Sequence, residues 1–403
     1  MKGRFIAMRK IAIILALAML LCGIAGCQPQ ATPATDPQPT QPAPTDTQPT
    51  EPQPTEDDTQ YITGDEVDLR QMVVDYMYAM ANVQWTASQQ LDYSQYGAKN
   101  LIYEAGKTYL GMVYNNNATG LERYLSVLDE NGLNVDGQIG WNEAAGNSCA
   151  TSIRHAWQQI SPTAGFGYSA DMMPCYRYSG VVAIGDIDWT VYDRTHTKTV
   201  FEGNSRDVIL EAYALTLPGD ALVRHLGDKG GHALMITKEP TVVRNADGSI
   251  NLMESYLYLT DQNNNLNNKR EYPSSWTVDA KVSFSSAFQD GYLPVTVAEL
   301  RDGKAPIPWF KLTGAAAAEQ LAQGTVEGSV ESNYCLNKVR LQVLSGQTVV
   351  AEAAAYPYAT AFDLSKLQQA LNISDLSAGE YTLVITAQVG LATETLQQIP
   401  FSK

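Results

Sequence analysis

Cys149 stands where a nucleophilic thiol would be expected. It lies in the segment Gly146-Asn-Ser-Cys-Ala-Thr-Ser, and apolar residues follow at helical spacing as far as Ile160. The spacing predicts a helix over residues 147–160 with the thiol in its first turn. Backbone N–H groups and the helix dipole favour a thiolate there, and the same N–H groups can bind an oxyanion. Taken alone, the pattern fits a buried and inert cysteine better, so the assignment depends on finding a base.

His232 is the histidine best placed to act as that base. It follows Gly230-Gly231 and opens the apolar run His232–Thr237, which predicts a strand with the imidazole at its edge. Glycines carry no Cβ and therefore let another backbone approach closely. A thiol paired with an imidazole is the arrangement of nucleophilic cysteine catalysis.

The other three histidines fit this role less well. His155 lies on the predicted helix of Cys149 but on a different face from the thiol. His196 lies in a charged segment, and His225 lies in a polar stretch that looks like a hairpin loop. His232 alone begins an apolar strand.

A carboxylate should hold the second nitrogen of the imidazole and fix its tautomer. The two candidates are Asp261, at the end of a strand predicted over residues 250–260, and Glu254 on the same strand. They are seven positions apart in the chain, so they face opposite sides of an unbulged strand. Leu257 and Leu259 share a side with Asp261, and we expect this aliphatic side to face the interior. The sequence therefore favours Asp261, with Glu254 as the alternative that a bulge would select.

The charge and composition exclude several classes of function. The chain has 43 acidic and 27 basic residues and a net charge of −16, whereas binding to nucleic acid phosphates needs a basic surface. Its five cysteines and four histidines show no paired spacing of metal ligands. We therefore expect no nucleic acid, no metal and no cofactor. The pairing state of Cys175 and Cys335 stays open.

The N-terminus predicts export and anchoring. Four basic residues precede the apolar run 11–21, and Ala25-Gly26-Cys27 follows, which resembles the lipobox of bacterial lipoproteins. This resemblance implies a signal peptide over residues 1–26, lipidation of Cys27 and attachment to the outer face of the bacterial cell membrane. Residues 27–62, rich in Pro, Thr and Gln, predict a disordered linker.

The rest of the chain predicts an α+β fold in two parts. Helices are expected over residues 65–82 and 121–128, and residues 180–187 and 208–217 look extended or mixed. Short strands dominate from there on, with a predicted turn at Pro218-Gly219-Asp220. We place a catalytic domain over residues 63–315 and a small all-β sandwich over residues 324–403. The strands expected in the sandwich cover residues 325–329, 339–344, 349–355, 381–388 and 393–401.

Three motifs in order resemble the NlpC-type cell-wall peptidases and the related CHAP amidases. They are Asn-Ser-Cys149-Ala-Thr-Ser, then Pro218-Gly219-Asp220, then Gly-Gly-His232-Ala-Leu-Met-Ile. The resemblance spans roughly residues 66–310. It implies a papain-like fold, with the Cys149 helix packed on an antiparallel sheet that carries His232. It also implies cleavage of amide bonds in peptidoglycan stem peptides through a thioester on Cys149. We expect the protein to be monomeric.

The resemblance also implies substrate contacts. Tyr114, in Gly111-Met-Val-Tyr, matches a tyrosine that often orients substrate in that family, although it also fits a half-buried loop aromatic. The family usually has Asp before the nucleophile, where Ser148 stands, and Ser-Gly or Ser-Ser after it, where Ala150 and Thr151 stand. We therefore expect Ser148 to line a substrate subsite whose contacts differ from those of the family.

Two other functions are compatible with the same residues. A lipid-anchored binding or adhesion protein could keep the fold without activity, although the Cys149–His232 pair speaks against it. An acyltransferase could pass the same thioester to an amine, and exclusion of water from the site would decide between transfer and hydrolysis. Residues 324–403 resemble the immunoglobulin-like accessory domains of bacterial surface enzymes, and their role stays open.

Overall fold

The computed structural model describes residues 60–96, 100–134, 141–174, 180–190, 197–227 and 230–403. They belong to one compact unit, Gln60–Lys403, of mixed α and β structure with 24% helix and 37% strand. Strands therefore dominate, and the α+β class is that predicted. The signal peptide, Cys27, nearly all of the linker, Cys175 and His196 lie outside the described residues.

The described residues form helices and strands along their whole length. The helices are α1 (Leu69–Asn82), α2 (Leu121–Leu125), α3 (Cys149–Trp157), α4 (Thr197–Gly203), α5 (Arg206–Ala214), α6 (Phe284–Gln289), α7 (Ala298–Asp302), α8 (Ala318–Ala322) and α9 (Gln368–Leu371). The strands are β1 (Tyr61–Thr63), β2 (Gln84–Ala87), β3 (Leu91–Asp92), β4 (Ile102–Tyr103), β5 (Thr108–Leu110), β6 (Leu133–Asn134), β7 (Val181–Ala183), β8 (Ala221–His225), β9 (Gly231–Thr241), β10 (Tyr256–Asn267), β11 (Ser274–Ser283), β12 (Leu293–Val297), β13 (Lys304–Pro306), β14 (Phe310–Thr313), β15 (Ser329–Ser332), β16 (Lys338–Ser345), β17 (Thr348–Ala355), β18 (Ala361–Asp363), β19 (Glu380–Val389) and β20 (Ala392–Ser402).

A six-stranded antiparallel sheet forms the frame of the first part of the unit. Its strand order is β11-β10-β9-β8-β12-β7. Strand β9 pairs with β8 in the register Leu222↔Leu234 and with β10 in the register Leu259↔Ile236. His232 lies near the start of β9 and Asp261 lies in β10, so adjacent strands carry the two residues.

Helices α1 and α3 pack with this sheet through one large apolar core. Side chains of α1 and α3, including Met77 and Ile153, are buried together with Ala233 and Met235 of β9. Helix α1 begins after Asp68, whose carboxylate accepts a hydrogen bond from the N–H of Gln71. Burial of this apolar surface is the main force that holds α3 in place.

The turn Pro218-Gly219-Asp220 joins the Cys149 helix to the sheet. The indole N–H of Trp157, at the end of α3, donates to the Gly219 carbonyl at 2.7 Å. The buried Asp220 carboxylate accepts from Arg70 at 3.0 Å and from the Thr296 hydroxyl at 2.6 Å. The motif therefore acts as a structural link between α1, α3 and strands β8 and β12.

The C-terminal strands enclose a second core. Sheets β14-β15-β18 and β17-β16-β19-β20 both contribute to it, for example through Val330 of the first and Leu341 and Ile385 of the second. Strands β16, β17, β19 and β20 match four of the strands expected from the sequence. Strand β15 begins at Ser329, where the first of the expected strands ends.

Two segments differ from the predictions. Residues 208–217 mostly form helix α5, because the Ser205 side chain caps its start and Ile209, Leu210 and Tyr213 are buried at helical spacing. The strand predicted over 250–260 begins only at Tyr256 and runs on to Asn267. Backbone hydrogen bonds to Asn251 hold the residues before it in a turn.

The C-terminal strands also contact the far end of α3. The turn between β19 and β20 lies against Gln159, and its Leu391 packs against both cores. The Tyr334 hydroxyl donates to the Ile160 carbonyl at 3.2 Å, and the Asn337 amide donates to the Gln159 side chain at 3.2 Å. The helix of Cys149 is thus supported by both parts of the unit.

We expect Gly390→Ala to destabilise the unit. The new methyl carbon would overlap the Cα and the carbonyl O of Gln159 and would lie 2.7 Å from its carbonyl carbon. Backbone atoms cannot move aside as a side chain can, and overpacking of this kind costs about 1–3 kcal/mol. Gly379→Ala is the matched control, because the nearest atoms there belong to the Tyr381 side chain, at 3.3 Å. Urea unfolding compares the two, and equal free energies of unfolding would contradict a tight contact between this turn and α3.

Candidate active site

Cys149 is the first residue of α3, and its environment is set by the residues just before it. The Ser148 N–H donates to the Thr151 hydroxyl at 2.8 Å, which caps the helix. The Asn147 N–H donates to the Val113 carbonyl at 3.0 Å. Only 9% of Cys149 is exposed. The first turn of α3 directs its N–H groups and its positive dipole end to this point.

His232 lies beside Cys149 and is bonded to Asp261. Its Nε2 donates to Oδ2 of Asp261 at 3.0 Å, because an ionised carboxylate can only accept. The Cys149 thiol also interacts with the ring and raises the pKa of the imidazole. Nε2 is held by Asp261, so Nδ1 is the nitrogen available to exchange a proton with Cys149.

The His232 imidazole is strongly biased towards its protonated form. Burial lowers its pKa, but the hydrogen bonds to Asp261 and Cys149 outweigh burial and raise the pKa from 6.5 to about 10. The negative charges of both partners act in the same direction. An imidazolium at neutral pH stabilises a thiolate beside it, which is the reactive form of a cysteine.

The structure places Asp261, and not Glu254, beside His232. Asp261 is buried in β10, whereas Glu254 precedes the strand, is exposed and accepts from the Asn251 amide at 3.2 Å. The strand parity that favours Asp261 does not apply, since Glu254 is outside the strand. The pairing of β10 with β11 also shifts between Leu259 and Asp261.

A cleft of about 420 Å³ opens in front of the thiol. Tyr114 and Ser148, both predicted from the sequence, line it, but His232 does not. The complete lining is Tyr114, Asn116, Ser148, Cys149, Ala150, Tyr168, Ser169, Ala170, Asp171, His225, Gly230 and Gly231. Most lining residues carry a polar group or a tyrosine ring, and the aliphatic side chains among them are those of Ala150 and Ala170.

Tyr114 is half-buried at the edge of the cleft close to Cys149. Its N–H donates to the Tyr103 hydroxyl at 3.3 Å, and its backbone bridges to Asn147. Burial raises the pKa of the Tyr114 hydroxyl well above its usual value, and the negative charge of Cys149 raises it further. The hydroxyl therefore stays protonated and can donate a hydrogen bond near the thiol.

Gly231 lets three elements meet beside His232. A Cβ on Gly231 would overlap the Ser169 hydroxyl and would lie 2.7 Å from Nδ1 of His225. No side chain fits there. The glycine pair predicted the approach of another backbone, and the Arg224 carbonyl O lies 2.8 Å away, but the closest atom belongs to the Ser169 side chain. Ser169–Asp171 form a short 3₁₀ turn that makes the opposite wall of the cleft.

Sequence reasoning missed several lining residues. The prediction that His225 lies in a hairpin loop is wrong. His225 is the last residue of β8, pairs with Gly231 and faces the cleft. Asp171 is a buried carboxylate in the 3₁₀ turn, and Tyr168 before it is 65% exposed at the rim. No periodic pattern marks residues 165–174, so only the folded chain identifies them.

Two further expectations from the sequence concern His155 and a metal. Burial, together with the charge of Arg154, lowers the pKa of His155 to about 3, and its Nε2 hydrogen-bonds the Ala118 carbonyl at 2.8 Å. It is a neutral structural residue.

In the described ranges, no three His, Cys, Asp or Glu side chains cluster so as to hold a metal ion. The same ranges contain no helix with the length and apolarity needed to cross a membrane.

We expect Asp261→Asn to destabilise the protein in a pH-dependent way. The raised pKa of His232 means that its protonated form contributes stability below pH 6.5, and that this contribution is lost as pH rises to about 10. A hydrogen bond to a charged group contributes about 1.5–3 kcal/mol. The free energy of unfolding should therefore fall by about that amount at pH 6, and by less as the pH approaches 10. Urea unfolding across this range measures it. Glu254→Gln should show no such dependence, and a constant loss for Asp261→Asn would contradict the ion pair.

The chain has no detectable relatives in two comparisons with known proteins. No protein-family model matches it, and no curated protein is significantly similar in sequence. The likeness to NlpC-type and CHAP enzymes therefore stays a prediction from three short motifs.

Proposed function

We propose that this protein is a cysteine hydrolase that cleaves amide bonds in the stem peptides of peptidoglycan. Cys149 is its nucleophile, His232 its acid and base, and Asp261 orients the imidazole. One observation carries the proposal: a thiol at the start of a helix lies next to an imidazole that is hydrogen-bonded to a carboxylate, and the thiol lines an open cleft. A merely structural histidine would not need partners on both sides.

The reaction follows from the positions of these groups. The Cys149 thiolate attacks the carbonyl carbon of the bound amide, and the carbonyl oxygen gains the negative charge. As the C–N bond breaks, the proton on His232 passes to the leaving nitrogen, and a thioester remains on Sγ. Water then gives a proton to His232 and attacks the thioester, which releases the acid and restores the thiolate.

Two donors can stabilise the oxyanion. The Cys149 N–H is in the first turn of α3, where no intrahelical acceptor exists. The Tyr114 hydroxyl stays protonated close to the thiol, as the direction of its pKa implies. Loss of one donor of this kind typically slows turnover by about 10²–10³.

The architecture supports a papain-like assignment for the first part. The nucleophile begins a helix that packs on an antiparallel sheet, and the base and its carboxylate lie on adjacent strands of that sheet. The two C-terminal sheets around one core are compatible with an immunoglobulin-like sandwich. Together with the lipobox-like N-terminus, this supports a lipid-anchored enzyme on the outer face of a bacterial membrane.

The open cleft favours hydrolysis over acyl transfer. Tyr168 at its rim is 65% exposed, and the cleft holds space for many water molecules next to Cys149. Transfer to an amine needs water to be kept from the thioester. An inactive binding protein would not require the His232–Asp261 hydrogen bond.

We expect Cys149→Ala to abolish release of fragments from purified peptidoglycan, because no thioester can form. Mass spectrometry of the soluble products measures cleavage and identifies the bond. Cys335→Ser is the matched control, because that thiol is half-buried near Gln158, outside the cleft. Fragments released by a folded Cys149→Ala protein would disprove the assigned nucleophile.

We expect His232→Ala to lower turnover by about 100-fold or more, the usual loss when a general acid–base is removed. His225→Ala should have a smaller effect centred on KM, since His225 lines the cleft, whereas His232 is the histidine that bonds Asp261. Steady-state kinetics on a peptide fragment separate the two. If His225→Ala were the more damaging to kcat, the assigned pair would be wrong.

A further inference from the structure

The pairing of β10 is irregular on both sides just before Asp261. Towards β11, the register shifts by one residue between Leu259 and Asp261. Towards β9, it shifts between Tyr258 and Leu259. Shifts of this kind are β-bulges, which often lie next to active sites and redirect a side chain.

Each bulge places one extra residue at the same point of the sheet. On β9 the extra residue is Thr237, which lies between the paired residues Lys238 and Ile236. On β11 the bulge contains Asp279, whose φ of 52° lies in the left-handed region that non-glycine residues seldom adopt. A backbone in that region costs free energy and persists only where its surroundings hold it.

A polar cluster holds both bulges together. The Thr237 hydroxyl donates to Oδ1 of Asp279 at 2.8 Å and lies 3.2 Å from the Thr260 hydroxyl. The Asp279 N–H donates to the same Thr260 hydroxyl at 3.2 Å. The Tyr78 hydroxyl of α1 donates to Oδ1 of Asp279 at 2.6 Å, and Lys238 of β9 pairs with Oδ2 at 2.8 Å. Thr237 and Thr260 are both buried.

We propose that Thr237, Thr260 and Asp279 form a register lock that positions the Asp261 carboxylate against His232. Asp261 follows Thr260 directly, so the residue that anchors both bulges also fixes the direction of the carboxylate. A strand that slips by one residue turns its side chains to the other face of the sheet, which would leave His232 without its partner. Asp279 and Thr237 are then positioning residues, and touch neither the thiol nor the imidazole.

The alternative is that the cluster only attaches α1 to the sheet through Tyr78. In that case its loss lowers stability but leaves the His232–Asp261 bond intact. The two roles differ in the pKa of His232, which depends on that bond. The ionisable groups close to His232 are Cys149 and Asp261, with Tyr292 near both and Arg224 opposite on β8.

The test is an NMR titration of the protein labelled with ¹⁵N-histidine, in which the His232 signals are assigned by their loss in His232→Ala. Asp279→Gly removes the side chain while glycine tolerates the positive φ. We expect it to lower the pKa of His232 by about one pH unit or more, which is a tenfold weaker preference for the imidazolium. Asp279→Asn, which tolerates this φ and keeps an acceptor for Thr237, should restore most of the value. This titration needs no substrate, so it reads the lock even if the proposed hydrolase activity fails.

Asn372→Gly is the matched control. Asn372 also has a positive φ, 48°, and its side chain makes one hydrogen bond, to Asp375, in the C-terminal part. This variant should leave the titration of His232 unchanged. An unchanged pKa of His232 in folded Asp279→Gly would overturn the lock, and so would an equal fall in Asn372→Gly. If Asp279→Gly does not fold, Thr237→Val decides by the same measurement, since it removes only the hydroxyl that links the bulges.

Discussion

The constraint on which the site depends is the partial burial of an imidazole that is charged before the reaction begins. Burial penalises the His232 imidazolium, and the Asp261 carboxylate and the Cys149 thiol offset that penalty. Packing alone therefore cannot position the His232 imidazole. Asp261 comes from the neighbouring strand β10 and Cys149 from helix α3, and both must be held close to the ring. Helix α3 and the six-stranded sheet hold the three side chains in this arrangement.

Two buried polar links keep α3 and the sheet in one geometry. Asp220 is a carboxylate almost fully removed from water, and burial raises its pKa, while Arg70 and the Thr296 hydroxyl favour its charged form. Such a pair adds little net stability over an apolar replacement, but removal of one partner costs about 3–5 kcal/mol. The Arg70–Asp220 pair instead fixes the positions of the elements that it joins. The turn that carries Asp220 also accepts the Trp157 indole N–H, so the orientation of α3 is tied to strands β8 and β12.

The parts of the site that could be predicted are those encoded in short stretches of sequence. Cys149 before an apolar helical pattern and His232 after two glycines both follow from local rules, and the structure brings them together. Strand parity favours Asp261, yet the strand starts later than expected and is bulged, so the outcome agrees for a reason that parity does not supply. The bulges depend on side chains from three strands, which no local pattern encodes. The lining residues Asp171 and His225 likewise face the cleft only because distant segments meet there.

The C-terminal strands matter to the site for the same kind of reason. Tyr358 inserts its ring beside α2, where it leaves no room for a side chain at Gly120, and it packs edge-on against His155 at 4.8 Å. Tyr358 and Ala118, whose carbonyl bonds His155, both have positive φ values, so two strained residues flank one buried histidine of the nucleophile's helix. Strain of this kind persists only where the packing around it is tight. The C-terminal part is therefore joined to the Cys149 helix by contacts that a loosely tethered accessory domain would not make, and it stabilises the end of α3 opposite the thiol.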